Sequence, residues 1–154
     1  MSESPVVPLA EAQKKAEAFL GKIMPECRRA EIAGSIRRKR PLVHDIDIVA
    51  IPSKVPFLFT IPTTARGPAI IRTTYEGMNV DIYIATEKTY ECLRLIRTGS
   101  AGHNIKLCGL AKRRGFQLKA NGDGLITPVG TVITEDGILM ELLGKVPTPE
   151  EREA

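Results

Sequence analysis

Two acidic residues, Asp45 and Asp47, interrupt the apolar run HDIDIVAIP at positions 44–52. Side chains alternate along a strand, so both carboxylates project to one face while Ile46 and Ile48 project to the other, toward packing. At an effective dielectric near 20 and a separation of about 4 Å, two such charges repel by roughly 4 kcal/mol. A shared proton, a nearby Arg or divalent cations would each offset that repulsion. A third acid has the same setting: NVDIYIA carries Asp81 between Val80 and Ile82. If the two strands pair, Asp81 joins Asp45 and Asp47 on one face. Three carboxylates suit hard cations with oxygen ligands, Mg²⁺ or Mn²⁺. Such a cluster can hold two ions for an in-line phosphoryl displacement. A lone Asp in this position is usually a strand-end acid or a salt-bridge partner, here of Arg37 or Arg38. The D-x-D pattern followed by a second V-D-I favours the metal reading.

Upstream lies AGSIRR, residues 33–38. A Gly-Ser turn entering a helix offers backbone N–H groups, a hydroxyl and a positive dipole end, which together can cradle a phosphate. A Gly-Ser pair is also an everyday helix start; a following D-x-D strand at this distance makes it more specific. Basic residues cluster twice. Arg28, Arg29, Arg37, Arg38, Lys39 and Arg40 form one group, and Lys106, Lys112, Arg113, Arg114 and Lys119 the other. Such groups fit a polyanion such as nucleic acid or nucleotide phosphates, although taken alone a basic cluster is more often a solvated helix face.

The elements that must position these residues follow from periodicity. Pro8 and Pro25 bracket a predicted helix over 9–24, with Leu9, Ala12, Ala16, Phe19, Leu20 and Ile23 at helical spacing. RRAEIAG predicts a short strand. Ser35 is a candidate cap for a helical turn through IRRKR, ended by Pro41. VHDIDIVAIP is the central strand, and residues 52–66, with three prolines, read as a loop. AIIRTTY and NVDIYIA predict a hairpin around Glu76-Gly77. Thr86 is a candidate cap for a helix over 87–97, and Ser100 for a second one ending at Gly115. FQLK, LITPVG and TVI predict small strands among Asn-Gly and Asp-Gly turns. A last helix over 135–143 stops at Gly144, and KVPTPEEREA reads as an exposed tail. The expected class is α+β: a nucleotide-handling sheet over residues 1–86, then a smaller subdomain over 87–154.

The totals agree with one ordinary globular unit. The chain has 154 residues, is 43% hydrophobic and 26% charged, and carries a net charge of +4. With no Trp and 5% aromatic residues, the core must be built from Leu, Ile, Val and Ala. Cys27, Cys92 and Cys108 form no C-x-x-C pair, which excludes the usual zinc and disulfide frameworks and predicts buried, reduced thiols. Neither a secretory leader nor an apolar run of membrane-spanning length is visible, so a soluble cytoplasmic protein is expected.

In these segments the sequence resembles the family X DNA polymerases, of the polymerase beta type, within the nucleotidyltransferase superfamily. The resemblance rests on AGSIRRKRPLVHDIDIVAIP, on VDIYIA, on TGSAGHNIKLCGLAKRRGFQLKANGDGL and on TEDGILMELLGKVPTPEERE. It implies roles residue by residue. Asp45 and Asp47 match the acids that bind both metal ions. Asp81 matches the acid that holds the catalytic metal and prepares the primer 3′-hydroxyl. Gly34, Ser35 and Arg38 match positions that hold the triphosphate. Thr98, Gly99 and Ser100 match the turn against the incoming sugar and base, and Asn104 the residue reaching the base edge. Arg37, Lys39, Arg40, Lys106, Lys112, Arg113 and Arg114 become candidates for DNA binding. The implied activity is DNA-directed addition of dNMP to a DNA 3′-hydroxyl, with two Mg²⁺ ions (or Mn²⁺) and pyrophosphate release, in gap-filling DNA repair. The implied partners are a dNTP, primer/template or gapped DNA, and a repair protein; a DNA-associated cytoplasmic location is expected, with no membrane partner.

Several positions differ from the family pattern. Ile96 and Arg97 stand where the family has an aromatic pair, and Cys108 where it has an Arg that contacts the template strand. His44 precedes the first metal Asp in place of a common Gly; it could donate to a phosphate or simply start the strand. Asn79 stands where an Arg usually supports the third Asp, with Arg72 as a substitute. The plan expected is a minimal one, without lyase domain or helix-hairpin-helix subdomain. Two alternatives stay open: a template-independent or non-DNA nucleotidyltransferase, and a catalytically inactive DNA-binding module.

Overall fold

Helix α1 (Leu9–Ile23) starts directly after Pro8 and buries Ala12, Ala16, Phe19 and Ile23 along one stripe. That stripe is the reason the helix packs where it does: a 3.6-residue period places these four side chains on one side. The computed structural model describes residues 5–53 and 63–153. Before α1 lies the short strand β1 (Val7–Pro8). After it come β2 (Cys27–Ile32), the one-turn helix α2 (Gly34–Arg37), β3 (Leu42–Val43) and β4 (Asp45–Pro52). The next segment holds β5 (Ala65–Arg66), β6 (Ile70–Tyr75) and β7 (Met78–Ile84). Then follow α3 (Tyr90–Thr98), α4 (Ala101–Arg113), β8 (Gln117–Lys119), β9 (Gly124–Thr127), β10 (Gly130–Val132) and α5 (Glu135–Leu143).

The main sheet has the order β2-β4-β7-β6-β5. It is mixed: β4 runs parallel to β7, and the remaining pairs are antiparallel. The predicted hairpin forms between β6 and β7, and its turn places Glu76 at φ 49° and Gly77 at φ 81°. Positive φ at both central residues is what a tight hairpin turn needs to match the twist of its strands. The sheet faces divide as alternation requires. Ile46, Ile48 and Ala50 of β4 and Val80 and Ile82 of β7 pack with the buried stripe of α1. On the opposite face, Val49 and Ile51 pack with Tyr90 and Leu93 of α3.

Helix α3 serves two cores. Its Cys92, Leu95 and Ile96 turn away from the main sheet and join Leu107 and Ala111 of α4, Leu118 and Leu125 of the small sheet, and Ile138, Leu139 and Leu142 of α5. The small sheet has the order β10-β9-β8 and is antiparallel throughout. Local signals set the helix ends here. Ser100 accepts from His103 N at 3.2 Å at the start of α4, and Thr134 accepts from Gly137 N at 3.1 Å at the start of α5. Gly144 ends α5 in the left-handed region at φ 72°. The expected α+β class is what the chain adopts.

Four expectations are corrected. The turn after β2 begins at Gly34, with Ala33 at the cap position and no side-chain cap, so Ser35 lies inside the helix. Helix α3 starts at Tyr90, because residues 87–89 form a turn in which Tyr90 N donates to Thr86 O at 3.0 Å. Residues 65–66 of the expected loop pair with β6 as an edge strand, while positions 54–62 of that loop lie outside the described residues. Of the cysteines only Cys92 is buried; Cys27 is half-buried and Cys108 exposed, since Cys108 falls on the outer face of α4. The chain end is largely exposed, as expected, but is docked through one buried residue. Arg152 is 2% exposed, and Thr148 and Glu151 form a capping box around a 3-10 turn at Pro149–Glu151. The buried guanidinium of Arg152 is held at 2.7 Å by Glu135 and at 2.9 and 3.1 Å by the Pro147 carbonyl. A charge so paired can be buried where an unpaired one could not.

Candidate active site

The pairing of β4 with β7 puts the acids together. In register, Asp47 stands beside Asp81 and Asp45 beside Asn79. Adjacent strands are about 4.8 Å apart, so Asp47 and Asp81 are lateral neighbours on the face opposite α1. The antiparallel partner across β7 places Arg72 beside Asp81, with Nε 3.5 Å from Oδ1. Arg72 is thus an ion-pair partner of the third acid.

Gly34 brings the phosphate-type turn onto these acids. Its φ is 64°, and a Cβ there would meet Asp47 Cγ at 2.9 Å and Oδ2 closer still. Ala33 N donates to Asp47 O at 2.8 Å, which locks the turn to the strand. A cavity of about 430 Å³ opens beside it. Gly34, Ser35, Arg38, Arg40, His44, Asp45 and Asp47 line one wall, and Thr98, Gly99 and Asn104 line the other. The structure thus brings ten of the sequence-predicted residues to one cavity; Asp81 is not among its lining residues and stands beside Asp47 in strand register.

Electrostatics mark the same place. Burial, followed by the charges of Asp81 and Asp45, pushes the Asp47 carboxyl up to about 7. Burial also raises Asp81, with Asp45 adding to the effect and Arg72 opposing it. Burial and the charges of Asp47 and Asp81 push the Tyr83 hydroxyl up to about 12. A nearby positive charge would relieve the mutual repulsion of such crowded carboxylates. Among the described residues, no group of three His, Cys, Asp or Glu side chains is drawn tightly enough together to hold an ion as the rotamers stand. Asp45, Asp47 and Asp81 offer oxygen donors only, the kind that suits Mg²⁺ or Mn²⁺.

Several predicted residues bond within the protein or lie outside the cavity. Arg37 faces inward, donating to Glu135 at 2.7 and 2.9 Å and to Thr98 Oγ1 at 2.8 Å. Ser100 points toward the chain end, its hydroxyl donating to Glu153 O at 2.7 Å. Asn104 donates to Ile96 O at 2.8 Å, leaving its Oδ1 buried without a protein partner among the described residues. Lys39 pairs with Glu150 at 3.3 Å, and Arg114 with Glu141 at 3.9 Å. Lys106, Lys112 and Arg113 are exposed along α4.

Sequence reasoning missed three participants. Tyr83 and Arg97 both line the cavity, and the Arg97 guanidinium lies 4.2 Å from the Tyr83 ring centroid. The spacing of Tyr83 two residues beyond Asp81 was the available signal, since it puts the ring on the acid face. Glu153 holds Arg38 Nε at 3.0 Å, while Arg38 Nη1 donates to Thr98 O. No sequence signal marked that contact.

The fold is polymerase beta-like. Among solved structures, the chain is similar to Leishmania infantum polymerase beta, determined as a ternary P/T complex, with a TM-score of 0.74 at 18% identity. The match covers 97% of this chain and 77% of that one. No protein-family model and no curated protein matches the sequence. Among the described residues, no helix is long and apolar enough to cross a membrane.

Proposed function

We propose that the protein is a DNA polymerase of the family X type, adding dNMP to a DNA 3′-hydroxyl in short-gap repair. The observation that carries this reading is the register match of Asp47 with Asp81, with Gly34 packed on Asp47 at the mouth of the cavity. The palm would span residues 1–86 and the nucleotide- and template-contacting subdomain 87–154. When bound, two Mg²⁺ or Mn²⁺ ions at Asp45, Asp47 and Asp81 would supply activation of the hydroxyl and neutralisation of phosphate charge.

The chain's own residues do the rest. Gly34 and Ser35 present backbone N–H groups, and Arg38 a guanidinium, to the triphosphate. Arg38 is already oriented by Glu153 and the Thr98 carbonyl, which leaves Nη2 for the ligand. Asn104 offers its unpartnered Oδ1 to the base or sugar edge. His44, exposed at the cavity wall, is placed to donate to a phosphate oxygen. The 3′-oxygen forms the new bond to the α-phosphorus as the α–β phosphoanhydride breaks, and pyrophosphate leaves. Asp81, raised by burial, is placed to take the hydroxyl proton. Lys106, Lys112 and Arg113 on α4, with Lys39, Arg40 and Arg114, would bind DNA phosphates, giving an affinity that falls steeply with salt.

A second reading is a transferase with weak template discrimination. It is favoured by exposed Cys108 and by Arg97 at the cavity wall, where the family has a template-contacting Arg and an aromatic residue. One experiment separates the two: extension of a labelled primer at a one-nucleotide gap with each dNTP and rNTP, with Mg²⁺ and with Mn²⁺. Addition of the complementary dNTP alone supports the polymerase. Indiscriminate addition supports the second reading. Absence of addition under both metals rejects both. Asp81→Ala should abolish addition while DNA binding is retained.

A further inference from the structure

Arg97 is the unusual cation of the cavity. Arg38 and Arg40 are paired with Glu153, at 3.0 and 3.9 Å, and Arg37 with Glu135 at 2.7 Å. Arg97, in the last turn of α3, is exposed and forms no ion pair among the described residues. Its resting place is the face of Tyr83, 4.2 Å from the ring centroid, a cation–π distance. Tyr83 stands beside Val49 in register, one step along the same face from the Asp47–Asp81 pair. A guanidinium parked there is held near the acids without being bonded to them. Its charge is felt at both Asp47 and Asp81, where it favours the ionised carboxylates.

We propose that Arg97, held on the Tyr83 ring, is the resident counter-charge of the acid site, making cation binding and polyphosphate binding interdependent. In the free protein the guanidinium occupies part of the role a divalent ion would have, and so weakens that ion's binding by direct repulsion. A polyphosphate entering the cavity offers Arg97 a stronger acceptor than an aromatic face, because a charge-assisted hydrogen bond exceeds an exposed cation–π contact. The same charge then contributes to ligand binding. Cation and nucleotide are thereby loaded together. This inference rests on the nucleotidyltransferase reading of the acids.

The test is direct Mn²⁺ binding, followed by the electron paramagnetic resonance signal of free Mn²⁺, with and without a non-hydrolysable nucleoside triphosphate. Without nucleotide, Arg97→Gln should bind Mn²⁺ about tenfold more tightly than wild type, and Arg97→Lys about as wild type. With nucleotide the order should reverse, Arg97→Gln binding the Mn²⁺–nucleotide pair about tenfold more weakly. Both differences should shrink as ionic strength rises. Because Arg97 is exposed, the variants should keep the wild-type circular dichroism spectrum. Equal Mn²⁺ affinity for all three proteins, or weaker Mn²⁺ binding by Arg97→Gln without nucleotide, would overturn the inference. Mn²⁺ binding that persists unchanged in Asp45→Ala and Asp81→Ala would instead overturn the assignment of the acids, and with it the proposed function.

Discussion

Gly34 and Asp47 touch so closely that a side chain at position 34 would displace the Asp47 carboxylate. The glycine holds φ 64°, and any Cβ on it would overlap the Asp47 carboxylate. A one-turn helix and a central strand are thereby fitted backbone to side chain, which aligns the phosphate-type turn with the acids.

Gly34→Ala should therefore remove nucleotide addition with modest loss of stability. The positive φ costs about 1 kcal/mol for an L-residue, and the overlap forces Asp47 or the turn to move. The check is primer extension alongside urea unfolding. Addition within threefold of wild type would mean that the contact does not set the geometry of the acids.

Glu135 is a buried carboxylate shared by three guanidinium groups. It is 3% exposed at its side chain and contacts Arg37 and Arg152 at 2.7 Å and Arg94 at 3.0 Å. Arg94 also reaches Glu31 of β2 at 2.8 Å, so the cluster joins the main sheet, α5 and the chain end. Burial pushes Glu135 up, but hydrogen bonds and charges from Arg37 and Arg152 outweigh it and hold the carboxyl below its ordinary range. Glu135→Gln should cost about 3–5 kcal/mol, the penalty for leaving buried guanidinium groups without their counter-ion. Urea unfolding measures it. A loss below about 1 kcal/mol would show that solvent reaches the cluster freely.

The acids predict a pH dependence of opposite sign to Glu135. The folded pKa of Asp47 lies near 7, above its ordinary 3.8, and Asp81 is raised as well. Their contribution is complete below the ordinary carboxyl value and is lost as pH rises through the folded value. The Tm of the cation-free protein should thus fall between pH 3.8 and about 7, and added Mg²⁺ should reduce the fall by binding the ionised form. Asp47→Asn should flatten the slope. An unchanged slope in that variant would remove Asp47 as its source. At the acid end, Glu135 works the other way: its contribution is lost as pH falls below its depressed pKa.

Much of this protein was written in local patterns. The D-I-D and V-D-I strands, the Gly-Ser turn, the Glu76-Gly77 hairpin and the Ser100 and Thr134 helix starts each depend on residues within a few positions of one another. Alternation alone separates Asp45 and Asp47 from Ile46 and Ile48, so the common face of the two acids was determined by the sequence. The arrangement of distant segments was not. The parallel register that sets Asp81 beside Asp47 pairs strands separated in the chain by β5 and β6. The stacking of Arg97 on Tyr83, the hold of Glu153 on Arg38, and the burial of Arg152 against Glu135 each join residues many positions apart. A charged residue reads as solvated until a partner is known, so Arg37 and Arg152 looked like surface. Only the tertiary structure supplies those partners, because the cost of burying a charge is decided by what stands opposite it.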